Sequence, residues 1–342
     1  MELDELQERL PSFCAAHFDG AVGASEVWKM PGHAGFSYGF AVEEGDATSR
    51  WFLRLPPPGV QHKGTADVLR QVAVLNALDG TDVPHCSVRW SGTDEQWFGR
   101  PYFVVPVLDG DVARIEDGGW TRDLDPEARR AMADSAMRAL AGLHAVDHRA
   151  ATIDGEPYLG EPVDLVTDVE RWDRFVEKSA DPERLVLVPE VRGLLLDNRP
   201  ADPQIGIFHG DFQWGNLFFA NKGDNVGELL AVIDFELTGA GATCNDVGWI
   251  ATFNDPRAWG DNRTVGEVMP QADELVDMYR RHSDDPCDHI EWFRALAAYK
   301  FAIISGFNLM LHRRGKRHDP LWEDSKHSIE PLLERARTLL SC

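Results

Sequence analysis

Apolar residues recur at helical spacing near the start of the chain. Leu3, Leu6, Leu10 and Phe13 fall on one face and predict a helix over residues 2–18. Alternating residues then predict strands over 27–30 and 38–43, on either side of the string Gly32-His33-Ala34-Gly35-Phe36-Ser37. A third strand is expected over 50–55, stopped by Pro56-Pro57-Pro58. Val68, Leu69, Val72 and Leu75 mark one face of a helix over 65–78. Two more strands fit 87–91 and 102–107. Strands carrying a single helix imply a small antiparallel sheet. After Asp109-Gly110 the pattern becomes helical, with helices expected over 126–146, 165–179, 267–282, 290–311 and 329–340. Pro126 suits a first helical turn. Two short apolar runs interrupt them, 205–208 and 229–233, and each ends in an acidic motif. The expected fold is therefore α+β, with a mixed N-terminal lobe (1–105) and a mainly helical C-terminal lobe (106–342) joined by a short hinge.

Composition narrows the function. At 342 residues and 43% apolar, with eleven tryptophans, the chain can bury a large core. A formal charge of −23 argues against nucleic acid as a partner and against anionic membrane surfaces. The acidic N-terminus shows no signal-peptide pattern. The longest apolar stretch, 301–311, is interrupted by Gly306 and Asn308, so no membrane span is expected. Five scattered cysteines without a C-x-x-C pair suggest neither a disulfide framework nor a zinc site, and fit reduced thiols in a cytoplasmic protein.

The chemistry centres on His209-Gly210-Asp211-Phe212-Gln213-Trp214-Gly215-Asn216, followed by Ile233-Asp234-Phe235-Glu236. Protein kinases space a catalytic-loop Asp and Asn in the same way and follow them with Asp-Phe. Phosphoryl transfer leaves a protein mainly positioning and charge neutralisation to do. Asp211 is the candidate base for the acceptor hydroxyl. Asn216 and Asp234 are candidate ligands of Mg2+, which favours hard oxygen donors. Taken singly, Asp211 reads as a turn residue and Asn216 as a helix cap; two apolar strands, each ending in the right acid, are not expected by chance.

These strings resemble the aminoglycoside phosphotransferase and choline kinase superfamily, whose fold is protein-kinase-like and bilobal. Leu140-Ala141-Gly142-Leu143-His144 and Asn245-Asp246-Val247-Gly248-Trp249 carry the resemblance further. Phe52 to Pro57 and Asp79 to Pro84 are most similar to the branch with kinase domains fused to acyl-CoA dehydrogenases. The resemblance runs from about residue 25 to about 315. It implies an ATP-dependent kinase acting on a hydroxyl of a small molecule, a hydroxy acid, an acyl compound or an antibiotic, with this branch favouring the first two. It implies that Gly32, Gly35 and Ser37 belong to the loop over the ATP phosphates, and that Arg54 stands where the family's strand lysine meets the α/β-phosphates. It implies a hinge over 104–107 where the backbone of Val105 and Val107 meets adenine. The partner of Arg54 falls at Gln71, which cannot form an ion pair; Asp67, one turn earlier, is a substitute. Asp246 matches a structural acid bracing the catalytic loop, His209 a structural hydrogen-bonding residue, and His144 a core position. Trp214 is a candidate wall of the acceptor pocket, and Glu236 replaces the protein-kinase glycine.

Three rivals follow. A nucleotide-binding pseudokinase is motivated by Gln71 and the irregular phosphate loop, but Asp211, Asn216 and Asp234 are intact. A protein kinase would need an activation loop and an A-P-E string, and Asp234 to Trp249 leaves no room for them. A helical binding domain leaves the two acidic motifs without a role.

Overall fold

The structure is a computed structural model that describes residues 3–18, 24–30, 36–45, 47–93, 95–260 and 265–341. The first helix, α1 (Leu3–His17), packs Leu6, Leu10 and Phe13 onto an antiparallel sheet. The sheet strands are β1 (Ala24–Lys29), β2 (Ser37–Glu44), β3 (Ala47–Arg54), β4 (Trp90–Gly92) and β5 (Tyr102–Pro106), in the order β1-β2-β3-β5-β4. Tyr38, Phe40, Leu53, Tyr102 and Val104 form a core under α1. A single helix, α2 (Val68–Leu78), covers the other face; Asp67 caps it by accepting from the Leu69 amide at 3.1 Å. Val68, Leu69, Val72 and Leu75 bury into the larger core that continues through the rest of the chain. The last bond of this sheet runs from the Val107 amide to the Arg50 carbonyl.

Beyond Val107 come β6 (Asp111–Val112), β7 (Ile205–Phe208), β8 (Leu217–Phe219), β9 (Leu229–Val232) and β10 (Gly239–Ala242). Strand β8 lies between β9 and β6, and β10 pairs antiparallel with β7. The helices are α3 (Pro126–Ala145), α4 (Val188–Asp197), α5 (Cys244–Phe253), α6 (Ala272–His282), α7 (Ile290–Arg313) and α8 (Ile329–Leu340). Pro126 opens α3 behind Asp125, whose side chain accepts from the Ala128 amide at 2.8 Å.

Several expectations are corrected. The helix expected over 165–179 is two short pieces, Leu165–Glu170 and Asp173–Val176. The helix expected from 267 begins at Ala272, because Pro270 separates it from the turn Val265–Val268. Helices α4 and α5 were not anticipated. Helix α7 is long and apolar enough to cross a membrane, where no such run was expected; most of it is buried in the protein core. Cys244 and Cys287 are joined in a disulfide, against the reading of five reduced thiols. They stand 43 residues apart in the chain, and only the packing of α5 beside the turn before α7 brings their Cα atoms to 6.1 Å.

Candidate active site

Strand β7 delivers its chain into His209-Gly210-Asp211. Gly210 has φ +87°, and a Cβ there would lie 2.4 Å from the Leu237 carbonyl oxygen, so this turn admits only glycine. The loop is held from beneath by Asp246 on α5, which is fully buried. Its carboxylate accepts from the amides of His209 (2.6 Å) and Gly210 (2.8 Å) and from His144 Nε2 (3.1 Å). Tyr279 meets the other His144 nitrogen at 2.8 Å. Burial by itself would raise the Asp246 pKa; the hydrogen bond and charge of His144 outweigh it and hold the carboxyl below its ordinary range. His209 donates from Nε2 to the Ile233 carbonyl, and its Nδ1 accepts from the Asp211 amide. Burial lowers the His209 pKa, which keeps the ring neutral, in a structural role.

Asp211 points into the cleft with both carboxylate oxygens held. Trp249 Nε1, from α5, donates to Oδ1 at 3.0 Å, and Asn216 Nδ2 donates to Oδ2 at 3.0 Å. Trp249 is itself stacked on Phe301 of α7, with ring centroids 3.9 Å apart. The Asp211 pKa is raised to about 7, chiefly by burial, with the charges of Asp234 and Glu236 adding to it and the two hydrogen bonds opposing it. Asn216 ends a single tight turn, Trp214–Asn216, capped by Gln213, whose side chain accepts from the Gly215 amide. Its Nδ2 also donates to the Asp211 carbonyl at 2.8 Å, so the Asn216 oxygen is left as the ligating atom of that side chain.

Asp234 follows β9 in a left-handed conformation, φ 61°, which aspartate tolerates better than most residues. The residue is exposed. The Ile233 amide donates to the Asn216 carbonyl at 3.0 Å, and this bond sets the two sequence motifs side by side.

Arg54, at the end of β3, donates from Nη1 to Ser37 Oγ (2.8 Å) and from Nη2 to Glu236 Oε2 (2.6 Å). Neither expected partner is used. Asp67 is occupied by its cap and by the Tyr158 hydroxyl, and the buried Gln71 Nε2 has no hydrogen-bond partner. Phe36, Arg54, Val68, Glu236 and Arg317 line one cavity. Gly32 and Gly35 lie outside the described residues. Val105 is buried in β5, where it pairs with Phe52 of β3, and the Val107 amide donates to the Arg50 carbonyl. Trp214 is not a pocket wall: it is buried, with Nε1 donating to Asn254. The residues that sequence reasoning left without a role are Trp249, as a donor to Asp211, and the buried pair Lys300–Asp168 (2.7 Å), which Arg171 and Asn245 join.

Residues 32–286 match the model of the phosphotransferase enzyme family. The chain belongs to that family. It is an enzyme of the phosphotransferase kind. It is 30% identical over 228 residues to an Arabidopsis thaliana protein described as a probable acyl-CoA dehydrogenase, IBR3; the match covers 64% of this chain and 27% of that one. The family member thus spans little more than a quarter of that plant relative. Its fold matches a Ralstonia eutropha protein provisionally assigned as an aminoglycoside phosphotransferase, with a TM-score of 0.77 at 20% identity over 99% of this chain and 98% of that one. It also matches aminoglycoside 2'-phosphotransferase-IIIa in its GDP complex, with a TM-score of 0.62 at 17% identity and 96% of both chains covered. These likenesses bear out the protein-kinase-like α+β fold.

Proposed function

We propose that this phosphotransferase moves the γ-phosphoryl group of ATP to a hydroxyl of a small molecule. The observation that carries the reading is Asp211, held by two donors beside the exposed carboxylate of Asp234. A carboxylate whose pKa is raised to about 7 is well matched to a general base at neutral pH. The acceptor hydroxyl donates a hydrogen bond to Asp211, which orients the oxygen in line with the phosphoryl group. As the new O–P bond forms and ADP departs, the hydroxyl proton passes to Asp211.

The donor set fits Mg2+. Asp234 and the Asn216 amide oxygen are hard ligands, and the Asp234 charge acts on both Asp211 and Glu236, a crowding of carboxylates that a divalent cation would relieve. Held by Asp234 and Asn216, the ion would neutralise phosphate charge when bound. Arg54, 11% exposed in its side chain, supplies positive charge at this place together with Arg317, which lines the same cavity. The match to a dehydrogenase relative favours a hydroxy acid or an acyl compound as acceptor, since such compounds carry a hydroxyl and feed that chemistry. ATP consumption by the chain, screened against hydroxylated acids, acyl thioesters and aminoglycosides, tests the reading. The expected result is magnesium-dependent turnover with one class. Asp211→Asn should keep nucleotide affinity and lose at least about a hundredfold in turnover; near-normal turnover by the folded variant would refute the assignment.

A further inference from the structure

The link between Arg54 and the rest of the cleft is rewired. In the resemblance from which its role follows, the strand cation is held by a glutamate of the neighbouring helix. Here that helix, α2, offers Gln71 and Asp67, and neither holds Arg54. Arg54 makes its side-chain bonds to Ser37 and Glu236, not to Gln71, whose buried Nε2 has no hydrogen-bond partner. Asp67 accepts from the Leu69 amide in the helix cap and from Tyr158, both on Oδ1, and makes no bond to Arg54. Helix α2 instead reaches the turn after Asp234 by its own bond, Arg70 Nη1 to the Thr238 carbonyl at 3.3 Å. Arg54 reaches the same turn through Glu236, at 2.6 Å.

We infer that Glu236 is the positioning residue that holds Arg54 toward the nucleotide phosphates, in place of a helix carboxylate. The inference rests on the ATP reading above. The geometry suits the role. The pair is partly shielded, with side chains 11% and 29% exposed, so its charges are less screened than on an open surface. Ser37 fixes a second arm of the guanidinium at 2.8 Å. The fork has five N–H groups, more than these two bonds use, so it can be held by Glu236 and Ser37 and still present donors to phosphate oxygens. The bond also spans 182 residues and ties the sheet directly to the segment that carries Asp234.

Binding of ATP with magnesium, followed by calorimetric titration, tests this on the parent, Arg54→Ala, Glu236→Gln and the double variant. Gln at 236 has the shape of Glu and can still accept from Arg54, but without the carboxylate's charge, so the ion-pair attraction is lost and the bond is weaker. Each single variant should weaken ATP binding about tenfold. Because Glu236 acts through Arg54, the double variant should be no more than about twofold weaker than the worse single. Turnover of Glu236→Gln at saturating ATP should stay within about threefold of the parent, and its magnesium midpoint should not move. Additive losses of about a hundredfold, or a higher magnesium requirement in Glu236→Gln, would overturn the inference by making Glu236 a direct metal ligand. Parent-like ATP binding by Glu236→Gln would overturn it outright. A parent that binds no nucleotide would overturn the ATP reading and this inference together, whereas the other results leave the ATP reading standing.

Discussion

Trp249→Phe isolates one hydrogen bond at the centre of the site. Phenylalanine keeps an aromatic ring stacked on Phe301 but removes the N–H that reaches Asp211 Oδ1 at 3.0 Å. A hydrogen bond to a charged group is worth about 1.5–3 kcal/mol, and one pKa unit corresponds to about 1.4 kcal/mol. Losing it should raise the Asp211 pKa by about one to two units above its present value of about 7. The direction follows from the role of a base, which works deprotonated: turnover climbs as pH rises through the pKa, so a raised pKa moves the acid limb to higher pH. At the pH where the parent is half ionised the variant would be no more than about a tenth ionised, a loss of about fivefold or more that disappears at high pH. The assay is kcat against pH at saturating ATP and magnesium in both proteins, so that the cation's field is common to both. A limb that stays in place in a folded Trp249→Phe would refute the reasoning. So would a loss that is uniform at every pH, since that would make Trp249 a packing residue only.

Asp246→Asn should destabilise the fold by about 2–4 kcal/mol in urea denaturation and cut turnover at least about tenfold, because one amide oxygen cannot serve the three donors the carboxylate now satisfies. Its folded-state pKa is depressed, so the stability it gives is present above the ordinary aspartate range and is lost as pH falls through the folded value; parent and variant should converge in acid. Lys300→Met should cost about 3–5 kcal/mol by leaving Asp168 buried against a lost partner, and combining it with Asp168→Asn should cost less than the sum, read from the same denaturation curves. Gly210→Ala places a β-carbon 2.4 Å from the Leu237 oxygen at φ +87°; a loss of about 2–5 kcal/mol and of most activity is expected, and wild-type melting would count against the close approach.

The parts of the site that are local in the chain could be read from it. An apolar run that ends in His209-Gly210-Asp211, and another that ends in Asp234, are strands with acids at their exits, and the structure has both. Local chemistry also placed α2 and α3, whose caps and apolar faces lie within a few residues of each other. What escaped depends on pairing across long separations. Trp249 was legible as part of a motif but not as a donor to Asp211, 38 residues away. Gln71 was legible as an unsuitable partner for Arg54, but nothing near either residue points to Glu236. The break between Leu165–Glu170 and Asp173–Val176 falls at Arg171 and Trp172, where no proline or glycine signals it in the sequence. Cys244 and Cys287 are the same kind of case: their spacing signals nothing until α5 is packed beside the turn before α7.

The turn over residues 234–238 explains why the site does not separate into a nucleotide half and an acceptor half. Asp234 is exposed, and the ring of Phe235 lies 4.7 Å from that of His209. Glu236 bonds Arg54 of the sheet, and the Leu237 carbonyl fills the space that makes residue 210 a glycine. Thr238 donates its hydroxyl to the Phe208 carbonyl at 2.7 Å while its own carbonyl accepts from Arg70 of α2. Five consecutive residues thus touch β3, α2, the end of β7 and the loop that carries Asp211. Protein kinases place a long, separately ordered activation loop after the corresponding motif; here β10 begins at Gly239 and pairs at once with β7. A turn so short, bonded on every side, has little freedom to switch by ordering and disordering. Control of this enzyme through that segment would therefore have to act by changing what Arg54 and Asp234 bind.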